Sequence, residues 1–409
     1  MGGGLMQLVA YGAQDIYLTG NPQITFFKVV YRRHTNFSME AIRQTFKGTV
    51  GAGARVVATL ARNGDLVHDC FITVPSWRQQ TSQYDNNPGH NMIDYIECEI
   101  GGQLIDKHYG KWMEVHSELT EKGDAYATAA EDGGMIGFGV NRARGSQFQQ
   151  TAFAGGVLGT TNAHIPISFV PLRFWFCRHV GLSLPLIALQ YHEVNINIKF
   201  TGGGFFNNQS AGSGKPELWC NYIYLDTDER RRFAQVSHEY LIEQVQQQSF
   251  TGNTTALTLK LNFNHPVKEL IWALTEAAWG TKGTSGGKLK ALDNGAVGSL
   301  TNTDTWQLKL NGHDRFEKQP ITYFTRYQPY KYHTGSSRGT STGAGDSIGV
   351  YSFALKPEEH QPSGTCNFSR IDNSQLITSG TNTGILHVYA VNYNVLRIMS
   401  GMGGLAYSN

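Results

Sequence analysis

Short apolar or alternating runs recur along almost the whole chain, separated by clusters of Gly, Asn and Pro. The runs are rich in Val, Ile, Phe, Tyr and Thr, which pack well on a pleated surface, whereas helical periodicity is scarce. This pattern predicts an all-β protein, because alternation with a period of two lays one face of each strand on a core. The strongest strand candidates are 24–31, 54–61, 66–74, 92–102, 169–176, 187–200, 219–226, 256–263, 269–274, 305–312, 350–355 and 385–399.

Helices are expected only as short pieces in the connections. In segment 111–123, Trp112, Val115 and Leu119 can share one helical face. Segment 228–235 follows a good N-cap at Asp226 or Thr227.

The length of 409 residues suits two domains. The glycine-rich stretch 201–217 lies near the middle and predicts the boundary. The two halves also echo each other: 98–113 is a strand, a glycine turn and a polar-aromatic continuation, as is 308–324, and 173–194 is matched in order by 351–373. A duplicated β-sandwich explains this order; the alternative is that any two sandwiches share strand-turn patterns.

Charged residues are scarce, at 16% of the chain against about 25% in an average soluble domain. Lys plus Arg is 34 and Asp plus Glu is 32, so the net charge is only +2. We therefore expect no direct nucleic-acid binding, which needs a basic surface to neutralise phosphates. Low charge together with 47 glycines predicts strands, long loops and much surface shared with neighbouring chains.

The five cysteines are widely separated and include no C-x-x-C pair: Cys70, Cys98, Cys177, Cys220 and Cys366. This spacing argues against a disulfide framework or a zinc site and fits a reducing compartment. The N-terminal residues do not resemble a secretory signal, and no apolar run approaches the length of a membrane span. We therefore expect a soluble chain of cytoplasmic origin.

Enzymatic motifs are missing or misplaced. The chain contains no H-E-x-x-H, phosphate-loop or G-x-G-x-x-G sequence. G-x-S-x-G occurs around Ser285 and Ser341, but both lie in Gly/Ser/Thr-rich loops, whereas a nucleophile elbow needs a strand before it and a helix after it.

Histidine–carboxylate neighbours and one carboxylate pair are the remaining candidates for chemistry. Adjacent strand residues point to opposite faces, so neighbouring pairs cannot converge on one metal ion. Glu97 and Glu99 share a strand face, but a solvated or subunit-facing strand explains them better than a glycosidase pair. We expect no enzymatic activity, no metal and no cofactor. The histidine pairs are His68-Asp69, His192-Glu193 and His238-Glu239.

Two arginine clusters are candidate interface residues. Arg230, Arg231 and Arg232 are consecutive and spread around a helical turn between acidic residues, and Arg32 and Arg33 form the second cluster. This arrangement favours ion pairs between domains or subunits over binding of a polyanion.

Six long blocks carry a family resemblance and span nearly the whole chain: GAQDIYLTGNPQITFFKVVYRRHTNF (12–37), LPLIALQYHEV (184–194), FAQVSHEYLIEQ (233–244), LNFNHPVKELIW (261–272), QPSGTCNFSRIDN (361–373) and NYNVLRIMSGMGGLAY (392–407). Together they resemble the major capsid proteins of nucleocytoplasmic large DNA viruses, above all those of chlorella viruses and other algal viruses.

The resemblance implies a double jelly roll, two tandem eight-stranded antiparallel sandwiches with short helices in the loops. The expected division is an N-terminal arm at 1–23, a first jelly roll at 24–205, a linker at 206–218 and a second jelly roll at 219–409. It also implies a structural virion protein whose homotrimers, nearly hexagonal in outline, tile an icosahedral shell around an internal membrane.

The resemblance further implies partners and a location. Minor capsid proteins would lie beneath the shell and contact the arm, the viral membrane would lie nearby, and assembly would take place in the host cytoplasm. Regions 114–168, 275–304 and 331–347 do not match and are expected as outer loops. Related chlorella-virus proteins carry glycans on asparagines outside the usual sequon, which makes Asn294, Asn302 and Asn382 candidate glycosylation sites.

Two alternatives stay open at this point. Aromatic-rich loops would suit a minor capsid or spike-type jelly roll that binds carbohydrate or a receptor. A jelly-roll enzyme is disfavoured by the missing catalytic and metal-binding constellations.

Overall fold

The computed structural model describes residues 34–78, 85–121, 146–157, 164–207, 214–251, 257–275, 279–280, 287, 289–290, 292, 304–335, 347–379 and 384–407. Several predicted features lie outside these residues: the arm at 1–23, the strand candidate 24–31, Arg32, Arg33, Asn294, Asn302 and Asn382.

Two antiparallel sheets form a first sandwich. Sheet I has the order β1-β12-β4, with β9 and β10 both paired to β4, and sheet II has the order β2-β3-β11-β6-β7. Strands β5 and β8 form a separate ribbon. The strands are β1 (Phe37–Gln44), β2 (Phe46–Lys47), β3 (Arg55–Thr59), β4 (Leu66–Val74), β5 (Trp77–Arg78), β6 (Ile93–Ile100), β7 (Gln103–Tyr109), β8 (His164–Ile165), β9 (Ser168–Pro171), β10 (Leu184–Pro185), β11 (Val194–Phe200) and β12 (Glu217–Leu225).

A second sandwich follows. Sheet III has the order β13-β23-β15-β16, with β20 and β21 also paired to β15 and β24 paired to β23; sheet IV has the order β14-β22-β17-β18, with β19 on β17. The strands are β13 (His238–Thr251), β14 (Leu257–Leu261), β15 (Pro266–Thr275), β16 (Leu289–Lys290), β17 (Thr305–Leu310), β18 (His313–Asp314), β19 (Gln319–Pro320), β20 (Ile348–Ser352), β21 (Cys366–Asn367), β22 (Ser374–Thr378), β23 (Ile385–Met399) and β24 (Met402–Leu405).

The two sandwiches share one strand order. In each, the last long strand lies between the first strand and a later long strand of the same sheet, β4 or β15, and short strands share the far edge of that later strand: β9 and β10 on β4, and β16, β20 and β21 on β15. This is the order of a jelly roll, so the prediction of two tandem antiparallel jelly rolls is confirmed.

Matching hairpin turns support the duplication. The β6–β7 turn places Gly101 and Gly102 at φ 58° and 81°, and the β17–β18 turn places Asn311 and Gly312 at φ 50° and 83°. Positive φ at both central residues of a two-residue loop requires Gly or Asn and defines a type I′ hairpin. The echo between 98–113 and 308–324 therefore reflects the same hairpin at the same place in each jelly roll.

The helices predicted in 111–123 and 228–235 are both confirmed. The carboxylate of Asp226 caps the second by accepting a hydrogen bond from the Thr227 amide at 2.7 Å. Within the described ranges, no helix has the length and apolar character needed to cross a membrane. The helices are α1 (Pro88–Asn91), α2 (Gly110–Thr120), α3 (Gln147–Ala152), α4 (Trp175–Arg178), α5 (Thr227–Gln235) and α6 (Gln328–Tyr332), with a π-helix at Tyr323–Tyr327 and 3-10 turns at Val180–Leu182, Gly204–Asn207 and Phe368–Arg370.

The predicted domain boundary differs from the structure. The linker was placed at 206–218 and the second jelly roll at 219, yet β12 pairs with β1 and β4 over its whole length and completes the first sandwich. The second sandwich begins with β13, after α5. Glycine marks where a chain turns, but whether that turn separates strands or domains depends on pairing partners far away in sequence.

Two strand predictions were much too long, and four strands of five residues or more were not among the candidates: β1, β7, β13 and β22. Segment 169–176 is a strand only as far as Pro171. Helix α4 follows, and Phe174, Trp175 and Phe176 are all buried in the core. Segment 187–200 is a strand only from Val194. Strand β13 contains four glutamines and lacks the apolar alternation that reveals its neighbours.

Candidate functional site

Helix α2 lies between the two sandwiches and packs on the core of the first and on the outer face of sheet III of the second. Met113 packs into the core of the first sandwich, whereas Trp112, Val115 and Leu119 pack against sheet III of the second. All four side chains are at most 1% exposed. Burial of an apolar side chain of this size contributes about 1.5–3 kcal/mol, so α2 is a principal attachment between the sandwiches.

The outer face of sheet III is closed by this contact. Its side chains are at most 7% exposed, although they point away from the core of their own sandwich. They come from strands β13, β15, β20 and β23: Val245, Ile271, Ala273, Val350, Tyr389 and Val391.

The first residue of α2, Gly110, packs closely against the backbone of β6. A Cβ atom on Gly110 would lie 2.1 Å from the Ile93 carbonyl oxygen. Trp279, from the second sandwich, donates its indole N–H to that same carbonyl at 3.1 Å. Glycine is therefore required where the helix, β6 and a loop of the other sandwich meet.

Buried polar groups bind the loop of the second sandwich that contains Gly280 and Gly287 to α1. The side chain of Asn87 donates to the Gly287 carbonyl at 3.0 Å, and the Gly280 amide donates to Asn91 Oδ1 at 3.0 Å. Below them, His90 Nδ1 lies 2.7 Å from the carboxylate of Glu114 in α2. Because the partners are supplied by both sandwiches, these groups fix the relative position of the two domains.

An ion-pair cluster forms a third part of the junction. Glu243 in β13 pairs with Arg178 of the first sandwich and with Lys268 in β15, whose ammonium lies 2.8 Å away. Burial opposes ionisation of Glu243, but the two cations outweigh it and hold the pKa of its carboxyl below the usual range. Next to this cluster, the backbone amide of Val245 donates to Asp106 of the first sandwich at 3.1 Å.

The C-terminal hairpin extends the junction along the first sandwich. Leu396 and Ile398 in β23 belong to the apolar core of the first sandwich. Beyond the hairpin turn, His192 Nδ1 lies 3.0 Å from the Gly403 carbonyl, and the Leu405 amide donates to Gln103 Oε1 at 3.3 Å.

Sheet I, the counterpart of sheet III, has an open outer face. Met39 and Phe169 are 40% and 43% exposed, and Ile167 beside β9 is 56% exposed. Between them, Trp219 is directly opposite Phe71, and both are half-buried. In the part of the chain that the structure describes, the position that α2 covers on the second sandwich is therefore an uncovered, largely apolar face on the first.

The counterpart of α2 is open as well. The π-helix and α6 occupy the same place in the second jelly roll, after the β17–β18 hairpin and before β20. Phe324 packs into the core of the second sandwich, but Tyr327 and Tyr330 are 50% and 86% exposed. Unlike α2, this segment has one face covered and one aromatic face uncovered.

The sequence-predicted arginines have separate environments. Arg230 Nε lies 2.8 Å from Asp65 Oδ1 and joins α5 to the first sandwich. Arg231 and Arg232 are exposed on the same helix, so their role at an interface stays a prediction. The residues that make the junction were not predicted as interface residues; only α2 was predicted, as an amphipathic helix. For the π-helix and α6, the available signal was their position after the second hairpin, which corresponds to the position of α2 after the first.

The histidine and carboxylate candidates have structural partners. His68 Nδ1 lies 2.7 Å from the Phe176 carbonyl, and His238 Nε2 lies 2.8 Å from the Phe233 carbonyl. Glu97 is paired with Arg55 at 3.0 Å and Lys107 at 2.8 Å. Among the described residues, no group of three or more His, Cys, Asp or Glu could hold a metal ion.

Comparison with known proteins agrees with this arrangement. A family model described as the major capsid protein N-terminus matches residues 25–226, and one described as large eukaryotic DNA virus major capsid protein matches residues 229–404. The two matches meet within α5, where the structure places the boundary between the sandwiches.

Relatives match over their full length. The major capsid protein of Pyramimonas orientalis virus is 50% identical over 429 aligned positions, and that of Paramecium bursaria Chlorella virus 1 is 42% identical over 471, each covering 100% of both chains. The solved PBCV-1 virus capsid superposes with a TM-score of 0.74 at 35% identity, covering 94% of this chain and 100% of that one. The Faustovirus major capsid protein shares the fold, with a TM-score of 0.63 at 13% identity and coverage of 92% and 93%. The chain belongs to the major capsid proteins of large eukaryotic DNA viruses, and it is a structural component of the virion capsid rather than an enzyme.

Proposed function

We propose that the chain forms homotrimers with a nearly hexagonal outline, in which each helical segment Tyr323–Tyr332 covers sheet I of the neighbouring subunit. Three chains with two similar jelly rolls each give six similar lobes around a threefold axis. A heterologous contact that closes after three copies produces such a ring.

One observation carries this proposal: the junction inside the chain has an unfilled counterpart. Helix α2 closes the outer face of sheet III, while the equivalent helix and the equivalent sheet face are both open. The two open surfaces cannot meet within one chain if the jelly rolls follow one another around a ring, because each then faces a different neighbour. A second copy supplies the missing half at both ends.

The charged groups on the two surfaces suit the same pairing. The helical segment contributes Arg326 and Lys331 beside its tyrosines. The open sheet face contributes Asp69 and Glu217, which are partly exposed and are paired within the chain with His68 at 3.1 Å and Arg43 at 2.9 Å. Cations from one partner opposite carboxylates from the other favour a specific register over nonspecific apolar association.

The trimers would tile an icosahedral shell around an internal membrane, with assembly in the host cytoplasm. Minor capsid proteins would bind beneath the shell, where residues 1–23 are expected. The net charge of +2 supports contact with protein neighbours rather than with the genome. The low charge content follows if much of each side wall is subunit contact, which requires at least about 2,000 Å² of buried surface per pair of subunits.

Light scattering on the purified full chain tests the trimer. The expected mass is three times the monomer mass of 45.2 kDa. Phe169→Asp and Tyr330→Asp should each yield a folded monomer, because either change places a carboxylate in the contact. Tyr191→Asp is the matched control, since Tyr191 is 77% exposed in the loop after β10 and lies outside both surfaces. Trimers from both Phe169→Asp and Tyr330→Asp would contradict this contact, and a wild-type monomer at all concentrations would contradict self-assembly through it.

A further inference from the structure

Cysteines that are far apart in the sequence meet in the core of the first sandwich. Cys70 in β4 and Cys220 in β12 are directly opposite each other in the register of sheet I. Both side chains point inward and are at most 1% exposed, and their Sγ atoms are 2.9 Å apart. Each thiol therefore has the other as its nearest sulfur neighbour across the sheet.

We propose that Cys70 and Cys220 are an oxidation site that closes to a cross-strand disulfide when the chain meets a peroxide outside a reducing compartment. Directly opposite residues of an antiparallel pair have Cα atoms about 4.5–5.5 Å apart, which lies inside the range that a disulfide spans. Rotation about the two Cα–Cβ bonds is enough to bring the sulfur atoms to the bond distance of about 2.05 Å. The backbone pairing already supplies the remaining geometry.

The other cysteines are less well placed. Cys177 lies in α4 near Cys70, with its thiol directed to the His68 carbonyl at 3.5 Å. Cys98 lies in β6 of the facing sheet, opposite Asp106. Cys366 belongs to the second sandwich. Cys177 and Cys98 are thus the competitors for Cys70 in this core, and the experiment must distinguish them from Cys220.

The chemistry balances with a peroxide as the oxidant. One thiolate attacks hydrogen peroxide and becomes a sulfenic acid as hydroxide leaves and is protonated to water; the second thiol then displaces the sulfenic hydroxyl as water and forms the S–S bond. Two thiols and one peroxide give one disulfide and two waters. Burial raises the pKa of the Cys70 thiol, so the thiolate is scarce and closure is slow in the folded chain. The same burial shields the finished bond from reductants.

The bond would cross-link two strands of the first sandwich after the chain has folded. It would join β4, inside sheet I, to β12, the strand from which the chain passes to the second sandwich. The closed loop spans 150 residues, and cross-links that close long loops restrict the unfolded chain most. A chain kept reduced during folding and oxidised afterwards would gain thermal stability without any new contact.

The test uses the full chain, purified with reductant, then freed of it and treated with hydrogen peroxide. We expect a Cys70–Cys220 linked peptide in a non-reducing digest and a melting temperature several degrees above that of the reduced protein. The number of free thiols counted in denaturant should fall from five, the number of cysteines in the sequence, to three.

Variants separate the pairings. Cys220→Val, which keeps an apolar side chain in the core, should lose the link and the stabilisation, whereas Cys177→Ser should keep both. Five thiols remaining after peroxide treatment, or a Cys70–Cys177 or Cys70–Cys98 linked peptide in the wild type, would overturn the assignment. Both of these readouts use the wild-type chain, so they hold even if a variant fails to fold.

Discussion

The rings of Trp112 and Tyr389 lie 4.9 Å apart, centroid to centroid, and both side chains are completely buried. Trp112 belongs to a helix of the first jelly roll and Tyr389 to the central strand of sheet III in the second. Each jelly roll therefore buries an aromatic side chain of the other, so we expect the two to unfold together.

Trp112→Ala should lower the free energy of unfolding by about 3–5 kcal/mol, because it removes a large side chain and leaves a cavity at the junction. Urea unfolding of the full chain measures the loss. Trp112→Phe, which keeps a ring opposite Tyr389, should cost less. A loss below about 1 kcal/mol for the alanine variant would show that α2 does not hold the jelly rolls together.

Glu243→Gln should cost about 3–5 kcal/mol, because it leaves Lys268 and Arg178 without their shared carboxylate at a buried site. Glu359→Gln is the matched control, since its partner Lys356 is exposed and water screens such surface pairs, so this change should leave stability nearly unaltered. Urea unfolding of both variants decides the matter. Equal losses for the two would contradict a structural role for the buried cluster.

Stability should fall with rising pH through the titration of His333. Burial alone would lower its pKa, but the carboxylates of Glu269 at 3.3 Å and Glu358 at 3.1 Å raise it to about 9. The folded state therefore binds this proton more tightly than the unfolded state, in which a histidine titrates near about 6.5. The contribution is complete below that value and is lost as pH rises through about 9, with a slope of at most about 1.4 kcal/mol per pH unit.

Unfolding free energies of wild type and His333→Gln across this pH range check the sign. The difference between the two proteins should shrink as pH rises. A difference that grows with pH would mean that His333 is neutral in the folded chain.

Removal of residues 392–409 should abolish the soluble trimer. The deletion takes the second half of β23 and all of β24, including Leu396 and Ile398 from the core of the first sandwich. Removal of 408–409 alone should have no effect, because β24 ends at Leu405. Light scattering of the soluble fraction measures the outcome, and a trimer formed by the longer truncation would refute the expectation.

Gly110→Ala should cost about 1–3 kcal/mol, because its Cβ would lie 2.1 Å from a backbone oxygen that cannot move away. Gly51→Ala is the control: a Cβ there meets nothing within 4 Å, so the change should be neutral or slightly stabilising. Thermal unfolding of the two variants compares them directly. Equal melting temperatures would contradict the close packing at the start of α2.

Local signals in the sequence predicted the parts that short-range physics controls. Strand β4 was predicted at its observed bounds because apolar residues alternate through it, and Trp112, Val115 and Leu119 were predicted on one helical face. Strand β13 was not predicted because its glutamines gain their β-structure from pairing with β23, fourteen residues in register, rather than from their own preference.

Sequence patterns alone predicted the all-β class, the repeated strand order with its glycine turns, and the family, because these depend on alternation, on glycine where the chain turns, and on long stretches of similar residues. Three-dimensional contacts were needed to establish that β12 belongs to the first sandwich, that α2 closes sheet III while the described part of the chain leaves sheet I open, and that Cys70 faces Cys220. The reason is physical: strand pairing and helix docking join residues more than a hundred positions apart, and their free energy depends on surfaces that exist only after both partners have folded.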